Sequence, residues 1–273
     1  MPEHALVGLL AAPQANDLPA WFTAIAEVLL LRSTLWVGET PHALVEIEFY
    51  LSGEGHEDPF IHGDPIQRGC ATWYFHRAGT SYRGGTYKGL DITFGPADAF
   101  GGILIRSLRT PEGALICGSS LCVDHLLARS GHADVASLDA AIAGRSIDAD
   151  ASPLRLSPAT HDATLELWTT ARVGLTLKRA ATHPSMIDYV IRPYRYLTAP
   201  AEIGKGRAQL VIALHERGLA PAEIAALARS PMRTIEGWLA AYAEGQTWDS
   251  TSALWGASLD SLDLCRLHGA LAR

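Results

Sequence analysis

No apolar run in the 273 residues reaches the roughly 20 that a bilayer span requires. No Lys or Arg precedes Arg32, so the start of the sequence lacks the charged region of a secretory signal. Cysteine is scarce. Cys70, Cys117, Cys122 and Cys265 have neither C-x-x-C spacing nor the density of a disulfide scaffold, and reduced thiols in a cytoplasm are expected. Also missing are an H-x-x-x-H pair, a P-loop, internal repeats and low-complexity tracts. No Ser–His–Asp arrangement is recognisable. What is present, 48% hydrophobic residues, suffices for one substantial core and a small accessory domain.

A net charge of −7 runs against a nucleic-acid partner, because phosphate contacts need Lys and Arg. The charge is unevenly spread. Residues 66–109 hold Arg68, Arg77, Arg83, Lys88, Arg106 and Arg109 against Asp91 and Asp98, and residues 172–207 hold Arg172, Lys178, Arg179, Arg192, Arg195, Lys205 and Arg207 against Asp188 and Glu202. An acidic protein with such segments can still present one basic face.

Residues 18–32 have helical apolar spacing. Residues 44–116 read as strands joined by Gly- and Pro-containing loops, and 119–130 as a helix opened by a serine cap. Residues 131–158, rich in Ala, Ser and Asp, read as an exposed excursion with little regular structure. After a connector at 198–206, residues 207–244 form three helical pieces, with Gly218 ending the first and Pro221 and Ser230-Pro231 opening the others. Ile224, Ala225, Ala228, Ile235 and Trp238 have the spacing of a helix-turn-helix core. Arg229 stands at its tight turn, where glycine is usual. The alternative is a helical bundle used only for packing or dimerisation.

The chemistry concentrates in EIEFYL, residues 46–51. Glu46, Glu48 and Tyr50 alternate with Ile47, Phe49 and Leu51, so the carboxylate of Glu48 and the ring of Tyr50 share one face of a strand. Residues 103–108, ILIRSL, form a second core strand interrupted by Arg106. A carboxylate and a guanidinium on such strands are costly unless paired or catalytic, and both readings stand at this point.

The ordered segments EIEFYL (46–51), DPFIH (58–62), AGTSYRGG (78–85), ILIRSLRTPEG (103–113), ARVGL (171–175) and RPYRYL (192–197) resemble the alkyladenine (3-methyladenine) DNA glycosylases over about residues 18–198. The resemblance implies an α+β fold, with a mixed or antiparallel curved sheet and surrounding helices. With the helical spacing after residue 198, the chain divides into a catalytic domain (1–198), a helix-turn-helix-like all-α domain (199–248) and a C-terminal tail or helix (249–273). The resemblance also implies a monofunctional enzyme that flips a damaged or modified base from duplex DNA and hydrolyses its N-glycosidic bond, leaving an abasic site. Glu48 would be the general base, with Arg106 and the carbonyl of Val173 sharing the attacking water. Tyr50 would stack on the base and His62 contact its sugar–phosphate side. The second stacking wall, two residues after Tyr82, is Gly84 here. Tyr87 would plug the duplex, with Arg83, Lys88, Arg192, Arg229 and Arg233 meeting DNA. The asparagine that reads the Watson–Crick edge in that family has no clear counterpart in KGLDITFG (88–95).

Neither cofactor nor metal is expected. His56, Asp58, His62 and Asp64 carry metal-ligating groups, but Pro59 and Pro65 make that segment a loop. Tyr82 and Tyr87 also read as core aromatics, Trp73–Phe75 as plain strand, and Cys117 and Cys122 as packing residues. The expected location is the cytoplasm, at the nucleoid. Two other functions remain: a helix-turn-helix DNA-binding regulator with a non-catalytic nucleobase-sensing domain, and a hydrolase of free nucleosides. Oligomeric state is not readable from the sequence.

Overall fold

A computed structural model describes residues 5–11, 17–159 and 165–272. The segment DATLELWTTARVG (162–174) is expected from its sequence to enter the last part of the core, and its first residues, 162–164, lie outside these. Helix occupies 39% and strand 23%, and every pairing between the core strands described below is antiparallel, which makes the fold α+β. No helix among the described residues is long and apolar enough to cross a membrane. The chain divides into two compact units, residues 1–167 with 196–198, and residues 168–195 with 199–273.

In the first unit α1 (Ala5–Ala11) and α2 (Leu18–Leu31) precede the sheet. Asp17 caps α2 by accepting from Ala20 N at 3.1 Å, satisfying one of the free amides of the first turn. The strands are β1 (Ser33–Val37), β2 (Thr40–Gly53), β3 (His56–Glu57), β4 (Trp73–Phe75), β5 (Arg77–Ala78), β6 (Ser81–Tyr82), β7 (Leu90–Thr93), β8 (Phe100–Arg109), β9 (Leu115–Cys117) and β10 (Leu154–Pro158). The main sheet runs β10-β1-β2-β8-β7-β4, with β3 added to β2 and β9 to β8, while β5 and β6 pair separately. Tyr196–Thr198 return to this unit, where Thr198 N donates to Val45 O at 3.0 Å.

Register explains which face does what. Phe49, Ile103, Ile92 and Trp73 lie opposite one another across β2, β8, β7 and β4, so their side chains share one face. That face is the apolar core. Phe22 of α2 stacks on Phe49 at 4.6 Å between ring centroids, and Phe94 packs on both rings. The next row, Glu48, Leu104, Asp91 and Tyr74, points to the other face. Polar groups are therefore gathered on one side of a sheet whose other side anchors it.

Residues 131–158 are more ordered than their composition suggests. They contain α4 (Val135–Ile142) and β10, following α3 (Ser119–Ser130). Val135, Leu138, Ile142, Ile147, Leu154 and Leu156 are buried. Asp134 caps α4 by accepting from Ser137 N at 2.8 Å, and β10 pairs with β1 along its whole length. The serine cap expected for α3 is absent. Gly118, with φ +125, takes the N-cap position without a side-chain bond.

The second unit holds β11 (Trp168–Thr170), α5 (Met186–Ile191), α6 (Arg207–Glu216), α7 (Pro221–Ala228), α8 (Met232–Gly245) and α9 (Ser261–Leu271). A boundary between the units falls after residue 198, and none falls after residue 248. Residues 168–195 belong with these helices, where the buried Arg195 donates to Gly206 O and Lys205 O at 3.2 and 3.0 Å and to Thr170 Oγ1 at 3.3 Å. The segment 249–273 is integral as well. A Cβ on Gly245 would lie 2.0 Å from Arg266 O, and one on Gly269 1.9 Å from Tyr242 O, so glycines bring the α8 and α9 backbones into contact.

Candidate active site

Glu48 is fully buried at the centre of β2. Its Oε2 accepts from Arg106 Nη1 at 3.3 Å and from the Tyr50 hydroxyl at 2.8 Å. The sequence suggested one Glu–Arg pair. The structure has two, because Arg106 Nε also donates to Glu46 Oε1 at 3.2 Å. Register shifts around Glu46, the signature of a bulge, set it opposite Ser107, whose hydroxyl donates to Glu46 Oε2 at 2.5 Å. Burial opposes the charge on Arg106, but Glu48 and then Glu46 outweigh it and raise its pKa above the ordinary value. One cation thus sits between two buried carboxylates. The thiol of Cys122, on α3, is pushed up by burial first and by Glu46 next.

A second polar cluster occupies the same face. Asp91, itself buried, accepts from His76 Nε2 at 2.7 Å through Oδ1 and from Gln67 Nε2 at 3.4 Å through Oδ2. The His62 ring meets that of His76 edge-on at 4.2 Å, and its Nδ1 lies 3.3 Å from the Tyr74 hydroxyl. Desolvation of the crowded edge and the adjacent His76 lower the pKa of His62, although the residue as a whole is exposed. Sequence reasoning placed His62 in a site but missed Asp91, His76, Tyr74 and Gln67. The available signal was Asp91, a lone acid inside the apolar strand LDIT.

The other expected site residues are dispersed. The phenol of Tyr82 donates to Asp139 at 2.7 Å and receives Arg77 at 3.1 Å, fastening the β5–β6 hairpin to α4. That is a structural task and no part of either cluster. Gly84 and Gly85 are exposed and a Cβ on either would meet nothing within 4 Å, so no side chain supplies a second wall there. Tyr87 is 73% exposed at the end of the 3-10 turn Gly85–Tyr87, which excludes a core role. Arg83 Nε donates to Arg77 O at 3.2 Å, and its charge acts on His62. Lys88 is ion-paired with Asp124 and is not a free phosphate contact.

His56, Asp58 and Asp64 have separate local partners. His56 Nδ1 lies 2.9 Å from Leu51 O, Asp58 accepts from Phe60 N at 3.1 Å, and Asp64 caps the 3-10 turn Pro65–Arg68.

In the second unit Val173 lines a cavity of about 260 Å³ with Arg172, Lys205, Gln209 and Ser261. Arg192 lies 4.2 Å over the Tyr189 ring and donates to the Tyr194 hydroxyl at 3.0 Å. In the helix-turn-helix-like segment Ile224, Ala228 and Ile235 are buried, whereas Ala225 and Trp238 are only partly so. Arg229 has φ +43, the left-handed conformation that explains why glycine is usual at this turn. The Arg207 guanidinium clasps the turn, donating to Ala228 O, to Arg229 O at 3.2 Å and to Ser230 Oγ at 3.4 Å. The side chains of Arg229 and Arg233 are exposed. The basic segments do not translate into basic surface residue by residue, since Arg106, Arg172 and Arg195 are buried and Arg77 and Lys88 are paired.

No family model matches the sequence. An uncharacterized protein of Acanthamoeba polyphaga mimivirus, L759, is 31% identical over 222 residues, covering 74% of this chain and 97% of the viral protein. At that identity and coverage, the chain belongs to the same family as mimivirus L759.

Proposed function

We propose that the chain is a DNA glycosylase that hydrolyses the N-glycosidic bond of a damaged or modified base. The observation that carries this reading is the buried Glu48 carboxylate held by Arg106 and the Tyr50 hydroxyl. Hydrolysis at C1′ needs a group that accepts a proton from water and negative charge near the developing oxocarbenium ion. Glu48 suits both tasks. Tyr50, the half-buried member of the cluster, presents its ring to an incoming base. Base–aromatic stacking contributes about 1–3 kcal/mol. The exposed Tyr87 suits a wedge that fills the gap left by a flipped nucleotide.

Gly84 and Gly85 bear on the substrate. With no side chain to form a second wall, stacking on a small purine is halved, and a larger base regains contact by filling the space. We infer a bulky or unusually modified base. The test is incubation with duplexes carrying hypoxanthine, 1,N6-ethenoadenine or hypermodified bases, with mass spectrometry of what is released. Preferential release of hypoxanthine refutes the pocket reasoning, and release of no base refutes the reading as a whole.

A DNA-binding regulator is favoured by one observation. Glu48 is already satisfied by Arg106 and Tyr50, as expected of a structural pair. Under either reading the exposed Arg229 and Arg233 of the helix-turn-helix-like segment are proposed to meet duplex DNA.

A further inference from the structure

We infer that His76, oriented by Asp91, is a second acid–base group that works opposite Glu48 and delivers a proton to the departing base. This rests on the glycosylase reading and adds to it the chemical class of leaving group, a base that departs neutral only when protonated. Glu48 and Asp91 both face Leu104, from opposite sides, and all point to the same face of the sheet. Two strand spacings separate their backbones by about 9.5 Å. The His76 ring lies against the Asp91 carboxylate, with Nε2 2.7 Å from Oδ1. His76 extends from the same face two residues beyond Tyr74, which lies opposite Asp91.

The dyad is built rather than incidental. Asp91 is 2% exposed and engages His76 Nε2, which leaves Nδ1 as the position that gains or loses a proton. Two glycines clear space for it. A Cβ on Gly102 would lie 2.5 Å from Asp91 Oδ2, and one on Gly89 would lie 2.4 Å from His76 Nδ1. His62, touching the His76 ring, stays neutral beside it, because two imidazoles in contact do not both carry charge cheaply. The titratable and charged groups around the dyad are Asp91 on β7, His62 and Asp64 from the loop after β3, Tyr74 on β4, and Arg83 after β6.

The step balances as follows. The C1′–N bond breaks with its electron pair going to the base nitrogen, and His76 gives that base a proton. Water bonds to C1′ while Glu48 takes a proton from it. A proton returning from Glu48 through solvent restores both groups. His76 would be a catalytic residue and Asp91 a positioning residue.

The test uses the full chain and two duplexes, one with the neutral leaving base 1,N6-ethenoadenine and one with 7-methylguanine, which is already cationic and leaves without an added proton. Single-turnover release of ethenoadenine should fall about 10²-fold or more in His76→Gln, the usual contribution of a general acid. Release of 7-methylguanine should change less than about threefold, because the acid then contributes nothing. Equal loss on both duplexes, or no loss on either, overturns the assignment.

The dyad is also tested without activity, by imidazole NMR titration of the wild type and Asp91→Asn. Asp91→Asn should move the His76 midpoint to lower pH by about one unit or more, as loss of an adjacent carboxylate does. An unmoved midpoint overturns the dyad. If the wild type releases neither base, nor any base from duplexes carrying hypermodified bases, the glycosylase reading fails and the titration alone decides whether Asp91 governs His76.

Discussion

Arg106→Met removes a cation that bonds both Glu46 and Glu48 while keeping most of the volume. Both carboxylates are buried, 1% and 0% exposed, and stand two residues apart on β2. Breaking a buried pair by deleting one partner costs about 3–5 kcal/mol, because the remaining charge is left without compensation. Loss of that cation favours the protonated form of the carboxyl groups it held. The sign follows. The penalty is largest where the carboxylates are ionised and shrinks as falling pH protonates them. A two-unit protein does not unfold in one step, so the assay is amide exchange of β2 and β8 peptides followed by mass spectrometry. At pH 7.5 protection should drop by roughly 10²–10³-fold, the equivalent of the lower part of that cost. The drop should shrink towards pH 5, and Glu46→Gln added to Arg106→Met should recover part of it. An equal loss at both pH values, after correction for intrinsic exchange, refutes the claim that uncompensated carboxylates are the cause.

Other consequences follow from the second unit. Burial lowers the pKa of His268 from 6.5 to about 4, and its Nε2 has no hydrogen-bond partner among the described residues. The stability contributed by its neutral form is complete above pH 6.5 and is lost as pH falls towards 4, by about 3 kcal/mol. Exchange in α9 should therefore accelerate over that window in the wild type and much less in His268→Leu. Arg229→Ala combined with Arg233→Ala should lower the slope of log affinity for duplex DNA against log salt by about 2, roughly 0.9 for each phosphate no longer neutralised. Circular dichroism of that variant should be unchanged, since both side chains are exposed. An unaltered slope assigns the segment to packing. Truncation after Leu197 is a poor alternative, because residues 168–195 would lose the helices they pack with.

The residues that were legible in the sequence are those whose signal is local. Alternation in EIEFYL put Glu48 and Tyr50 on one face, and apolar spacing placed α2 and the three helices of 207–244 within a residue or two of their observed ends. Arg229 was legible as an odd residue at a tight turn, and its positive φ is the physical counterpart. The illegible parts depend on pairing across distant segments. Nothing in LDIT or WYFH says that Asp91, Tyr74 and Leu104 become neighbours. That follows from the order β8-β7-β4, which the sequence does not state. Glu46 was seen but not as a partner of Arg106, because the bulge that shifts its register has no clear local signature. The segment 131–158 was misread because small and polar residues dilute its apolar positions, although the Asp134–Ser137 capping box was present to be read. The contact of α9 with α8 was illegible because glycine approaches between the two leave no periodic trace.

The central claim is that Glu48 accepts a proton from water during base release. Its most direct measurement is the single-turnover rate of base release from a modified duplex by the wild type and by Glu48→Gln, with duplex affinity measured in parallel. The account predicts release by the wild type, a fall of about 10²–10⁴-fold in Glu48→Gln, and affinity retained in both. Near-normal release by Glu48→Gln contradicts the role of Glu48, and tight binding by the wild type with no base released contradicts the enzyme reading in favour of a regulator.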